Sequence, residues 1–229
     1  MRTSGELVAL IPTLNAAENL ARTLDALAGQ VAGIVVADGG STDGTAAVAR
    51  AAARVVTAPR GRGTQLSAGA AAIEAPWILV LHADTRPGRG WREAAEAFMA
   101  DPSNADRAGY FRFALDDAAP QARRLERAVA WRCRVLGLPY GDQGLLIRRD
   151  FLERLGGFRA IPIMEDVDLV RRIGRRRLVA LDAAFVTSAV RWRRDGWWRR
   201  SARNLACLAL WFVGVPPDRI ARLYARRRG

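Results

Sequence analysis

Leu79-Val80-Leu81-His82-Ala83-Asp84-Thr85 closes an apolar run with an acid, and the run begins two residues earlier at Trp77. Residues 77–81 read as a buried strand, because five consecutive apolar side chains lie between Pro76 and the breaker pair Pro87-Gly88. A carboxylate at the carboxyl end of such a strand stands where open α/β sheets bind their ligands. Two more acid-bearing stretches, Val36-Ala37-Asp38-Gly39-Gly40-Ser41 and Met164-Glu165-Asp166-Val167-Asp168, have forms that suit nucleotide binding and base catalysis. Together the three point to metal-assisted transfer from an activated donor.

The sequence around this strand alternates. Residues 7–11 form an apolar run stopped by Pro12, and residues 15–28 place Leu20, Leu24 and Leu27 on one helical face. Asn15 reads as the cap of that helix, with Glu18 three residues later. A second strand over 34–37 ends at Asp38-Gly39-Gly40, and a helix is expected to open near 41–43 with Asp43 as its cap. A third strand over 55–57 and an Ala-rich helix over 65–74 precede the run already quoted. This pattern predicts parallel strands joined by crossover helices. Further on, 109–113, 144–147 and 179–188 read as extended, and 121–136 and 165–173 as helical, with a short helix ending at Gly156-Gly157. The expected fold is α/β: a mixed, mainly parallel central sheet of Rossmann type flanked by helices over residues 1–195. A helical appendage is expected over 196–229.

Half of the 229 residues are hydrophobic, enough for a substantial core. The formal net charge is +13, and all 36 Lys and Arg residues are arginine. Arginine's planar fork matches phosphate, so phosphorylated ligands or an anionic surface suit this chain; a genome poor in Lys codons produces the same composition. Without lysine there is no Walker A, Schiff-base or nucleotidyltransferase lysine. Cys133 and Cys207 lack zinc-type spacing and read as buried thiols of a reducing compartment. His82 is the only histidine, so any Ser-His-Asp or Cys-His arrangement would need it as base. Residues 1–6 lead straight into a strand without the apolar stretch of a signal peptide, which predicts a cytoplasmic chain. No nucleic-acid reader motif is present, and nucleic acid is discounted as a partner.

At the far end, Trp197-Trp198 precede an apolar run over 205–213, then Pro216-Pro217 and the basic Arg226-Arg227-Arg228. The run is about half of the roughly 20 residues that span a bilayer. It suits a helix pair lying on anionic lipid at the inner face of the cell membrane. A cap packed on the domain, or a homodimer contact, explains it as well.

The chemistry follows from residue types. Asp38 can accept hydrogen bonds from a base or ribose, while the adjacent glycines let backbone approach the ligand. Pro59-Arg60-Gly61-Arg62-Gly63-Thr64-Gln65 reads as a loop that wraps anionic oxygens at a helix start, or as an exposed turn with solvated arginines. Asp84 is the candidate ligand for Mg²⁺ or Mn²⁺, which prefer carboxylate and phosphate oxygens. His82 either joins the metal, bonds a phosphate or packs. Glu165 and Asp166 open a helix, where acids either complement the helix dipole or serve as a general base. Gly141-Asp142-Gln143-Gly144 offers polar groups for a hydroxylated acceptor.

In this order, these segments resemble the family 2 glycosyltransferases of the GT-A fold over residues 7 to about 195. Ile11-Pro12-Thr13-Leu14-Asn15 with Glu18 resembles the family's opening strand and donor loop, and 36–45 its nucleotide-binding segment. The resemblance implies that Pro12, Thr13, Asn15, Glu18, Asp38, Gly39, Arg62, Gln65 and Ala83 serve the nucleotide. Leu81-His82-Ala83-Asp84 stands in the place of the family's Asp-x-Asp metal motif, with His82 replacing the first acid. Glu165-Asp166 resembles the family's Glu-Asp pair, which implies Asp166 as base and Glu165 as its helper. Arg191-Trp192 is similar to a reduced Arg-Trp motif near acceptor and diphosphate. Finer still, His-Ala-Asp-Thr, Gly-Asp-Gln-Gly and Ile-Met-Glu-Asp-Val-Asp-Leu resemble a small bacterial subfamily found near radical-SAM and selenium-related genes. The expectation is inverting, metal-dependent transfer of a sugar from a UDP- or GDP-sugar to a hydroxyl, lipid-linked or free. A noncatalytic module that binds nucleotide or an anionic membrane is the alternative, and a nucleotidyltransferase a weaker one.

Overall fold

The computed structural model describes residues 6–225, so the N-terminal residues 1–5 and the basic end Arg226-Arg227-Arg228 lie outside the described residues. The first half builds the parallel part of the sheet. Strands β1 (Leu7–Thr13), β2 (Gly33–Asp38), β3 (Arg54–Thr57) and β4 (Trp77–Val80) alternate with helices α1 (Ala17–Leu27), α2 (Thr45–Arg50) and α3 (Arg62–Ala71). β1 pairs in parallel with both β2 and β4, and Thr13 faces Asp38 in register at the carboxyl ends. After β4 come β5 (Thr85–Pro87), α4 (Trp91–Ala100), β6 (Ala108–Leu115), α5 (Pro120–Leu136), β7 (Leu145–Arg148), α6 (Arg149–Arg154), α7 (Glu165–Ile173) and β8 (Leu178–Thr187). The strand order is β3-β2-β1-β4-β7-β6-β8-β5, with β7 antiparallel to β4 and β6, and β5 antiparallel to β8.

Side-chain alternation along β1 divides the core into two layers. Leu7, Ala9 and Ile11 pack with Leu20, Leu24 and Leu27 of α1 and with Trp91 and Phe98 of α4. Leu10 points the other way, toward Leu66 of α3, Phe151 of α6 and Leu169 of α7. Each fully buried leucine stabilises this arrangement by about 1.5–3 kcal/mol relative to exposure. A third cluster, Phe113, Val129, Cys133, Ala189 and Trp192, joins the end of β6 to α5 and to α8 (Val190–Asp195).

Three expectations need correction. Asn15 does not cap α1: the helix starts at Ala17, and Asn15 adopts a left-handed φ of 50° so that its Oδ1 accepts the Thr42 N–H. The second helix opens at Thr45 rather than 41–43, because Gly44 turns left-handed just before it. Asp43 instead accepts from the Thr45 and Ala17 N–H groups and so ties the β2–α2 loop to α1. α3 begins at Arg62, three residues before the expected start, which puts Arg62 on its first turn. β5, α4 and α8 lie outside the alternation read from the sequence; β5 is a three-residue edge strand whose pairing with β8 is wholly non-local.

The C-terminal segment forms α9 (Trp197–Phe212) and α10 (Pro217–Ala225). Cys207 and Ile220 are buried, and Arg171 of α7 stands 5.1 Å over the Phe212 ring, so the pair rests on the sheet domain. Among the described residues, no helix is long and apolar enough to cross a membrane.

Candidate functional site

The order β2-β1-β4 leaves a crevice at the carboxyl ends of β1, β2 and β4, where the winding changes direction. Asp38 ends β2 there and is buried. It accepts from the Thr13 hydroxyl at 3.2 Å and from the N–H groups of Gly40 and Ser41 at 3.1 and 2.9 Å, and also from the Ser41 hydroxyl. Burial pushes its carboxyl up, but these donors together hold it below the usual carboxylate range. Gln65 of α3 donates to the Thr13 and Ala37 carbonyls at 2.6 and 2.8 Å and so locks the ends of β1 and β2. Gly39 leaves the space that this amide fills, since a Cβ there would lie 3.0 Å from Gln65 Cδ. Thr13, Asn15, Asp38, Gly39 and Gln65 thus form one connected loop base. Glu18 is exposed in the first turn of α1.

Beyond β4 the chain turns at 82–85, the Thr85 N–H bonding the His82 carbonyl. The Ala83 carbonyl accepts from Thr23 of α1 at 2.8 Å, which anchors the turn. Asp84 meets the Arg191 guanidinium at 3.5 Å; Arg191 lies on the first turn of α8. His82 packs against Gly141, where an added Cβ would lie 2.5 Å from His82 Nε2. Burial and the Arg62 charge push the imidazole down to about 4, so it is neutral near pH 7. Of its three possible roles, packing on the Gly141 loop is the one visible in the geometry.

The third segment converges from the other side. Met164 takes a left-handed φ of 65°, rare for a side chain of its size, and α7 opens at Glu165. Arg62 Nε contacts Glu165 Oε1 at 2.6 Å, and Arg62 NH2 lies 3.6 Å from Asp166 Oδ2. Gly63 makes this meeting possible. Its N–H donates to the Ile161 carbonyl at 3.1 Å, and a Cβ there would stand 2.1 Å from the Arg159 carbonyl oxygen. Burial pushes Glu165 up to about 7 against the pull of Arg62. Asp166 behaves oppositely. Burial raises it, but Arg62 and the Gly141 and Val167 N–H groups, at 3.2 and 2.8 Å, outweigh burial and hold it ionised. Pro12, His82, Tyr140, Gly141, Glu165 and Asp166 line one cleft.

The Gly141-Asp142-Gln143 turn divides its duties. The Gly141 N–H serves Asp166, as above. Gln143 is buried, donates to the Phe111 carbonyl at 3.1 Å and accepts from Arg132 and the Tyr140 N–H, so its amide holds the turn in shape. Asp142 is pushed up to about 6 by burial and then by the Asp166 and Asp84 charges, with Arg132 opposing. Its buried Oδ1 lacks a hydrogen-bond partner among the described residues. Trp192 turns inward against Phe113, 6.2 Å between ring centroids, and supports Arg191 rather than entering the cleft. Sequence reading missed Tyr140, whose ring carries the Arg132 guanidinium at 3.6 Å and whose hydroxyl is buried without a partner among the described residues. The aromatic immediately before Gly141-Asp142 was the available signal. Gly63 was read only as part of an anion-wrapping loop, because only the fold shows which carbonyls it faces.

The oxygen chemistry fits a hard divalent cation. Asp84 meets a half-exposed guanidinium at a long 3.5 Å, and the Asp142 oxygen beside this field lacks a partner among the described residues. Among the described residues no three His, Cys, Asp or Glu side chains converge closely enough to hold a metal by themselves. Phosphate oxygens and water must therefore complete any coordination shell around Asp84, as is usual for Mg²⁺.

Comparison with known proteins identifies the fold and the family. No curated protein sequence matches the chain. Among solved structures, glucosyl-3-phosphoglycerate synthase from Mycobacterium tuberculosis in complex with Mn²⁺, UDP and glucosyl-3-phosphoglycerate aligns with a TM-score of 0.55. The identity is 19%, over 80% of this chain and 70% of that one. The same enzyme with Mn²⁺, UDP-glucose and glycerol 3-phosphate aligns at 0.55 with 20% identity, covering 76% and 68%. S. aureus TarS in complex with UDP-GlcNAc aligns at 0.61 with 16% identity, covering 80% of this chain and 58% of that one. These similarities establish a shared GT-A-like fold. The model of "Glycosyl transferase family 2" matches residues 8–156, which contain the loop base, the Asp84 turn and the Gly141 loop. The chain belongs to glycosyl transferase family 2 and is a glycosyltransferase.

Proposed function

We propose that this glycosyltransferase moves a sugar from a UDP- or GDP-sugar to a hydroxyl acceptor with inversion, using Mg²⁺ or Mn²⁺ held at Asp84. The observation that carries the reading is Asp166. It is an ionised carboxylate at the cleft, bonded to the Gly141 N–H at 3.2 Å and facing Arg62, which joins the base to the donor side. The UDP and Mn²⁺ in the structural neighbours support a UDP-linked donor.

The loop base of Thr13, Asn15 and Asp38 receives the nucleoside, with Gln65 keeping the strand ends in place. A cation at Asp84 supplies neutralisation of the charge that builds on the departing diphosphate. Arg191, half-exposed and bound to Asp84 by a single long contact, is free to turn toward the same phosphates. Arg62 is shared between Glu165 and Asp166. Donor phosphates draw its charge away from Asp166, which raises the basicity of that carboxylate when it must accept the acceptor's proton. Glu165, buried and paired to Arg62, positions the guanidinium. Tyr140 and Asp142 face the acceptor side. The acceptor oxygen then attacks the anomeric carbon in line with the leaving diphosphate, and its proton passes to Asp166.

A thermal-shift panel of UDP, GDP and their sugars, with and without Mn²⁺, tests the donor. Release of free nucleoside diphosphate from the stabilising donor tests turnover. Metal-dependent stabilisation together with release is expected. Stabilisation with no release by any donor would leave a noncatalytic nucleotide-binding module instead. A lipid-borne acceptor, and a station at the inner face of the cell membrane, rest on the surface of α9.

A further inference from the structure

α9 has one buried side and one open side. Cys207 and Arg200 are buried, Arg200 between Trp192 and Asp195 of α8. On the other side Trp198, Ala202, Leu205, Ala209 and Val213 are all exposed. At the helical turn of 3.6 residues these five positions fall within an arc of roughly 80°, opposite the buried side, and extend over about 22 Å. Trp198 is 67% exposed, Leu205 64% and Val213 76%, which for large apolar side chains on one stripe marks a surface that meets a partner.

Charge identifies the partner. α9 contains no Asp or Glu. Arg199 flanks the stripe, and Arg219 and Arg222 are exposed on the adjoining α10; none of the three has a carboxylate partner among the described residues. The chain carries +13 overall. Pairing two copies through this face would set these three arginines of each copy against one another with only Asp218 of α10 to offset them. An anionic bilayer instead offers an apolar layer to the stripe and phosphate to the arginines, with Trp198 at the boundary between them.

We propose that this face of α9 docks the protein on an anionic lipid bilayer. The docking helices are tied to the cleft. Arg191, on Asp84, belongs to the short helix just ahead of α9, and Arg200 of α9 stands 4.8 Å over the ring of its neighbour Trp192. Tyr224 of α10 lies 4.9 Å from the Arg203 guanidinium and so ties α10 to α9. Through α8 the docking helix adjoins Arg191 at the cleft, so docking favours an acceptor presented from the membrane, a consequence that rests on the glycosyl-transfer reading, although the docking itself does not.

The test is flotation of the full chain with vesicles of phosphatidylcholine alone or mixed with phosphatidylglycerol, alongside donor hydrolysis in the same samples. Wild type is expected to float with the anionic vesicles and not with the neutral ones. The double variant Leu205→Asp/Val213→Asp is expected to lose about tenfold or more of the bound fraction while retaining hydrolysis. Arg199→Glu, a purely surface change, should weaken flotation in the same direction and serves if the double variant misfolds. Absence of flotation by wild type, equal flotation with neutral vesicles, or full flotation of the variants overturns the proposal. A dimer that the double variant converts to monomer, without flotation, assigns the face to a second copy and equally overturns it. Hydrolysis with no flotation separates failure of docking from failure of the catalytic reading.

Discussion

Asp166→Asn removes the charge of the proposed base while nearly preserving its shape. The carboxylate accepts the Val167 N–H on Oδ1 at 2.8 Å and the Gly141 N–H on Oδ2 at 3.2 Å. An amide has one acceptor oxygen, so one of these N–H groups loses its partner, at a cost of about 1–2 kcal/mol. In a chain of this length that is a fall in Tm of about 2–8 °C. Arg62 keeps its 2.6 Å contact with Glu165 and stays in place. The donor loop, centred on Asp38, is untouched. Loss of a positioned base lowers the rate by about 10²–10⁴, or about 2.7–5.4 kcal/mol in activation free energy. Nucleoside diphosphate release, with water as acceptor, should therefore fall at least about a hundredfold in this variant. Calorimetric donor binding in the presence of Mn²⁺ should stay within about threefold of wild type, a shift of less than about 0.7 kcal/mol. A release rate within about twofold of wild type would refute Asp166 as base. Binding that falls in step with the rate would place Asp166 on the donor instead.

Asp84→Ala should abolish the Mn²⁺-dependent part of nucleotide binding while leaving the metal-free part intact, as read by calorimetry with and without the ion; unchanged Mn²⁺ dependence would move the metal elsewhere. Asp142 binds its proton more tightly folded, at about 6, than unfolded, near 4, so the native state holds more protons between those values and its contribution to stability falls as pH rises through that window. Asp142→Asn should consequently gain stability over wild type from about pH 4 to 6, by at most about 3 kcal/mol, and keep the gain above it, as urea melts at several pH values would show. Taking the variant-minus-wild-type difference isolates Asp142 from His82, whose folded value near 4 makes stability rise with pH between about 4 and 6.5. Gly63→Ala should destabilise more than Gly141→Ala. Its Cβ meets a backbone carbonyl oxygen at 2.1 Å, whereas the Gly141 Cβ meets the end of the His82 ring, which can turn. About 3 kcal/mol or more is expected for the first and about 1–2 for the second in thermal melts, and the reverse order would refute the close approach of Gly63 to the 159–161 backbone.

Local pattern was sufficient for most of the sheet. Apolar runs with Gly and Pro boundaries marked β1, β2, β3 and β4, and α7 begins at Glu165 and ends at Ile173 as the periodicity predicts. It failed where long-range partners decide. Asn15 and Asp43 have side chains that suit helix caps, yet both are drawn into contacts between the β1–α1 and β2–α2 loops. β5 exists only because β8 lies beside it. At the site, acids and arginines were legible as types, but type does not say which oxygen meets which nitrogen. Gln143 has the composition of an acceptor ligand and spends its amide on Phe111 and Arg132; Trp192 has the position of a ligand contact and packs on Phe113.

The sequence by itself determined the α/β architecture, the three acid-bearing strand or helix ends and the all-arginine positive charge, because these depend on local periodicity and residue chemistry. Only the tertiary structure decided that Arg62 joins Glu165 to Asp166, that His82 packs on Gly141, and that one side of α9 is buried while the other is open. Residues 62 and 165 are brought together by the close approach of α3 and the 159–161 segment at Gly63. The two faces of α9 are distinguished by which of them the domain covers. Both outcomes depend on contacts between segments far apart in the chain, which no local spacing encodes.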